Sequence, residues 1–181
     1  MSAALPPPEF SRTIDPRHLT EAPLQLVANE EERAALSRRF ALVRISKLEA
    51  SVLLTGDGDV IRASGTLVAD IVQSCAISGD DLKVKVREKL AFAFVPESSV
   101  TLTEEEIELE ANALDEIPYA ASGPTAWIDV GEAVSESLAL AIDPYATGPQ
   151  ADAVRQQHGL ADEGRTGALA AGLAALLGKK D

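Results

Sequence analysis

The sequence predicts an α+β fold: an antiparallel β-meander over about residues 42–95, with additional edge strands, packed with helices near 29–40 and 129–142. Three observations carry the prediction. Apolar residues recur at every second position through the middle of the chain, flanking stretches show helix-capping chemistry or helical spacing, and Gly, Asp and Ser clusters punctuate them.

Residues 1–8 are Pro-rich and predict loose chain. Phe10 to Ile14 alternates apolar and polar residues, a short strand that ends before Pro16. Asn29-Glu30-Glu31-Glu32 opens a helix, because Asn caps free amides and the acids face the positive end of the dipole. Arg38 and Arg39 suit its opposite end.

Residues 42–55, rich in Leu, Val and Ile, form the first long strand and stop at the turn Gly56-Asp57-Gly58-Asp59. In the second, Ile61, Ala63, Gly65, Leu67, Ala69 and Ile71 share one face, opposite Arg62, Ser64, Thr66 and Asp70. The loop 74–81 reverses the chain. In the third, Leu82, Val84, Val86, Leu90, Phe92 and Phe94 alternate with Lys83, Lys85, Arg87 and Lys89, and Glu88 alone breaks the apolar row.

Residues 97–124 hold eight acidic residues and no basic one. Ile107 and Leu109 alternate with glutamates as an edge strand, and the remainder reads as loop. Asp129 then caps a second helix, with Glu132 completing a capping box. Val130, Ala133, Val134, Leu138, Ala141 and Ile142 form its apolar stripe, and Pro144 ends it. The domain therefore spans 9–147 with an acidic loop at 97–124. A partly helical tail follows over 148–181, its short helices near 151–157 and 166–177.

At 181 residues and 46% hydrophobic, the chain has material for one core, and 4% aromatics mean that Val, Leu, Ile and Ala build it. A formal net charge of -13 repels phosphate backbones and anionic lipids at long range and attracts basic proteins. The single Cys75 excludes an intramolecular disulfide. No basic stretch followed by an apolar one marks a secretory signal, and the apolar run Ala168–Leu177 is far short of the ~20 residues of a membrane span. The expected location is the cytoplasm, with no membrane partner.

Catalytic chemistry finds little support. Nucleophilic catalysis needs a nucleophile, a base and an orienting group, and neither His18 nor His158 stands in a pattern with Cys75. Cys75 reads as a small, partly buried loop residue. Asp57-Gly58-Asp59 lacks the later ligands of a calcium loop, and nothing resembles a Gly-rich phosphate loop, so no metal, cofactor, catalytic residue or small-molecule substrate is expected. The row Lys83, Lys85, Arg87 and Lys89 has a spacing of about 6.5–7 Å, close to that of phosphates along an extended strand. It lacks the interleaved aromatics of a stacking platform. Neutralisation by neighbouring strands or by the acidic segment is the plainer expectation.

Val72-Gln73-Ser74-Cys75, a short turn, and the strand end Phe92-Ala93-Phe94-Val95-Pro96-Glu97 resemble the YceD family, the large ribosomal RNA subunit accumulation proteins. So do Ile128-Asp129-Val130-Gly131-Glu132-Ala133-Val134 and Leu138-Ala139-Leu140-Ala141-Ile142-Asp143-Pro144-Tyr145. Glu9-Phe10-Ser11-Arg12 and Arg38-Arg39-Phe40 are similar to the proteobacterial branch, and the likeness spans roughly 9–150. The motif residues are Gln73, Cys75, Asp129, Asp143 and Pro144. The resemblance implies a non-enzymatic role in accumulation of large-subunit ribosomal RNA. Many members carry two loop cysteines as CxxC, whereas Cys75-Ala76-Ile77-Ser78 keeps only the first. A structural zinc needs about four ligands, so no metal role is implied.

The leading expectation is therefore a ribosome-biogenesis factor with an acidic protein-binding surface. In it Glu104, Glu105, Glu106, Glu108 and Glu110 engage a ribosomal protein or a large-subunit assembly factor. The alternative is direct ribosomal RNA binding through Lys83, Lys85, Arg87 and Lys89, which net charge opposes. A hydrolase is third.

Overall fold

The computed structural model describes residues 8–99, 115–121 and 126–158. In chain order these form β1 (Thr13–Ile14), β2 (Leu24–Val27), α1 (Glu30–Arg39), β3 (Arg44–Asp57), β4 (Val60–Ser74) and β5 (Asp81–Pro96). A short 3-10 turn at Glu97–Ser99 follows, then β6 (Asp115–Tyr119), β7 (Ile128–Asp129), α2 (Val130–Ala141) and α3 (Ala151–Gln157). The fold is α+β, and the central antiparallel meander β3-β4-β5 lies where the alternation places it.

The sheet is wider than the meander, with strand order β2-β3-β4-β5-β6. Sequence reasoning missed β2, which pairs antiparallel with Glu49–Val52. Its alternating Leu-Gln-Leu-Val is only four residues long and abuts Pro23, too short a run to stand out. β6, expected as loop, joins the far side of β5 in parallel, from Phe92↔Asp115 to Pro96↔Tyr119. The strand expected at Ile107 and Leu109, the acidic run Glu104–Glu110 and the helix near 166–177 lie outside the described residues.

One face of the sheet carries the core. Leu48, Val52, Ile61, Leu67, Ile71 and Phe94 are each almost fully buried, against Val130, Val134 and Leu138 of α2 and Leu36 of α1. Each such side chain contributes about 1.5–3 kcal/mol by leaving water. Phe92 and Phe94 meet edge to face, with centroids 5.6 Å apart. The predicted first strand is shorter than expected: only Thr13–Ile14 pairs, with β7, because Phe10 turns into the core at 1% exposure.

A bulge in β3 sets the other face. Arg44 pairs with Val72 and Ile45 with Ile71, but Lys47 pairs with Asp70, so Ser46 is the extra residue. Strict alternation would put Lys47 on the buried side with Ile45. The bulge turns it outward and returns Leu48 to the core.

Candidate functional site

Lys83, Lys85, Arg87 and Lys89 are all exposed on the face of the sheet opposite the core. Their β4 neighbours are Val72, Asp70, Val68 and Thr66, so one acid stands across from four cations. Among the described residues none of the four cations makes an ion pair. On the neighbouring strand Asp70 stands between Lys85 and Lys47 in register but forms an ion pair with neither. Arg44 and Lys47 extend the cationic row into β3, with Lys47 paired to Glu49 at 3.0 Å. A shallow depression of about 320 Å³ lies among Arg44, Ser46, Asp70, Val72, Lys83 and Lys85. Sequence reasoning missed Arg44 and Lys47. The signal was the broken parity between Ile45 and Leu48, which betrays the bulge.

The motif residues Gln73, Cys75, Asp143 and Pro144 meet at the end of β4. Gln73, buried despite its polarity, donates from Nε2 to the Asp143 carbonyl at 2.8 Å. Asp143 Oδ1 accepts the Tyr145 amide at 2.9 Å, and the Ala76 amide donates to the Ala146 carbonyl at 3.0 Å. The buried Cys75 Sγ accepts the amides of Ser78 and Gly148, each at 3.3 Å. A side chain at Gly148 would drive its Cβ to 2.6 Å from Leu82 Cδ2, so the segment lies flush against β5.

These contacts lower the Cys75 thiol from its ordinary 9.0 to about 6, through the Ser78 side chain first and then the amides of Ser78, Gly148 and Ile77. The Ser78 hydroxyl also donates to Asp80 at 2.7 Å, which leaves the amides as the dependable donors. They orient the sulfur as a structural acceptor that ties two loops. His18 instead contacts Asp15 at 3.2 Å, and His158 caps the end of α3. No cluster of three or more metal-ligating side chains occurs among the described residues.

Asp129 works at the opposite end of α2. Its Oδ1 accepts the Arg12, Gly131 and Glu132 amides at 2.8, 3.0 and 3.1 Å, and its Oδ2 accepts the Ser11 hydroxyl. Gly131 is required here, since a Cβ would fall 2.5 Å from the Phe10 carbonyl oxygen. The capping box expected at Asp129 and Glu132 is not what forms: Glu132 reaches Arg39 at 2.8 Å, drawn by a cation that also holds Glu9. The reciprocal box occurs at α1, between Asn29 and Glu32. Glu32 in addition pairs with Arg12 at 2.7 Å, and this hydrogen bond holds its carboxyl below the ordinary value.

The motif residues therefore fasten both ends of α2 to the sheet and the N-terminal segment, while the cationic row stands on the opposite side. No protein-family model, curated protein or solved structure matches this chain.

Proposed function

We propose that the chain is a non-enzymatic factor in large-ribosomal-subunit biogenesis, sustaining accumulation of that subunit's RNA, and that the outer face of its sheet contacts the RNA phosphates. The YceD-like motifs motivate the process. The observation that carries the chemistry is the exposed row Lys83, Lys85, Arg87 and Lys89, continued by Arg44 and Lys47, with Glu49, Asp70 and Asp81 the acids among the described residues of that patch. Within about 8–10 Å a local cluster outweighs a distant opposite charge, because salt screens the rest of the acidic surface. Without aromatic stacking the contact is with the backbone and tolerant of sequence.

Titration of large-subunit RNA fragments against salt tests this reading. Replacing Lys83, Lys85, Arg87 and Lys89 together by Ala is expected to reduce the salt slope by about 3, at roughly 0.7–0.9 per phosphate contact. A flat titration of the unaltered protein at low ionic strength would refute RNA contact.

A second reading rests on the charge excess. Glu104, Glu105, Glu106, Glu108 and Glu110 stand in a stretch without a single cation, and engage a basic ribosomal protein or assembly factor. Capture from lysate at low and high salt tests it, and a bound fraction free of every ribosomal and assembly protein counts against it.

A further inference from the structure

β3 has two kinds of neighbour along one edge. β2 pairs with it only over Glu49–Val52. Ahead of that, at Arg44–Ser46, α1 takes the place of a strand: Ser37 Oγ donates to the Arg33 carbonyl at 2.7 Å and accepts the Ile45 amide at 2.9 Å. A helix is about 10–12 Å across, whereas paired strands lie about 4.7–4.9 Å apart, so the replacement leaves a gap. It is a cleft of about 610 Å³. Ala34, Leu42 and Val43 give it an apolar lining, and Val43 is 51% exposed. Arg33, Arg38 and Arg44 surround it against one acid, Glu30, and none of these four is in an ion pair among the described residues.

The cleft stands apart from the other features of the fold. At about 100° per residue, Arg39 points to the side of α1 opposite Arg33, Ser37 and Arg38, and there it holds Glu9. Arg44 is in register with Val72 and Lys83, about 30 Å along β5 from Phe92, where β6 joins. The cleft is continuous with the cationic face instead: Arg44 and Ser46 line both it and the depression that reaches Lys83 and Lys85.

We propose that this cleft receives one unpaired nucleotide of an RNA whose backbone follows the row from Lys83 to Lys89. The inference rests on the RNA reading of that row and adds a base to it. Guanidinium planes stack on bases as well as pairing with phosphates, and an apolar lining suits the base. The volume falls within the range of about 300–1,000 Å³ typical of small-molecule pockets. Arg44, common to both surfaces, meets the phosphate that links the two. The row alone is indifferent to RNA structure, whereas the cleft singles out RNA with a base free to leave its stack.

Fluorescence anisotropy with three RNAs tests this: a blunt duplex, the same duplex with one bulged adenosine, and the same bulge made abasic. The full chain should bind the adenosine bulge about tenfold more tightly than the abasic one, a difference of about 1.4 kcal/mol. Arg38→Lys combined with Arg44→Lys keeps both charges and loses both planes. It should erase that difference and leave the salt slope unchanged. Equal affinity for the two bulges, or a preference that survives the double substitution, would overturn the nucleotide cleft and leave the backbone reading standing. Binding of none of the three RNAs at low ionic strength would remove both readings. Poly-glutamate bound in their place would assign the arginines to an acidic protein partner and overturn the inference as well.

Discussion

The two halves of β5 differ in side-chain pattern and in fate: residues 81–91 alternate apolar and charged side chains, whereas Phe92 to Pro96 is apolar at both parities. From Phe92 to Pro96 the strand is sandwiched between β4 and β6, and Phe92, Ala93, Phe94 and Val95 are all buried. From Asp81 to Ala91 it has one neighbouring strand among the described residues, Leu82 and Val84 are half-buried, and only Val86 and Leu90 are buried. Apolar side chains at both parities allow both faces of the second half to be buried, whereas the alternating half keeps one face wet. The second half holds the fold together, while the first carries the exposed cations on its outer face.

The sharpest way to break that comparison is to cut into each half. Phe94→Ala should destabilise by about 3–5 kcal/mol, transfer free energy and residual cavity combined, while Val84→Ala should cost about 1 kcal/mol or less. Urea denaturation of the two variants checks this, and equal losses would show that the edge half is as fully covered as the other.

A smaller effect belongs to the polar fastenings over the covered side. Arg12 lowers the Glu32 carboxyl from its ordinary 4.5, so its contribution is complete above that pH. It is lost as pH falls through the lower folded-state value, because the unfolded chain binds the proton first. Stability should therefore decline on acidification below about 4.5, and Arg12→Met should flatten that decline. An unchanged pH profile in the variant would remove Glu32 from the account.

The smallest expected effect is on stability at the open face. Lys85→Ala should shift unfolding by no more than about 0.5 kcal/mol, since its side chain is exposed and makes no ion pair among the described residues. A loss above 1 kcal/mol would mean that the row is structural and not a contact surface.

Much of this architecture is legible in the residues. The parity of Leu82 to Phe94 and of Ile61 to Ile71 specified the meander and its wet face, because a one-residue slip would expose every core side chain. Asn29 and Asp129 marked helix starts correctly, since capping is local chemistry. The motif residues Gln73, Cys75 and Asp143 were visible as a set, but their role was not: 68 residues separate Cys75 from Asp143, and no local rule foretells that a glutamine will hold a carbonyl 70 residues away.

By itself, then, the sequence determined the three long strands of the meander, the helices α1 and α2, and which sides of them avoid water, for these depend on neighbours along the chain. Tertiary structure alone decided that Lys47, turned out by the bulge, would stand beside Lys85's partner Asp70, and that Glu132 would reach Arg39 and not its cap. It also decided that Asp115–Tyr119 would pair in parallel with Phe92–Pro96. Each of these is a competition between groups distant in sequence, settled by which partner the packed backbone brings within a few ångströms.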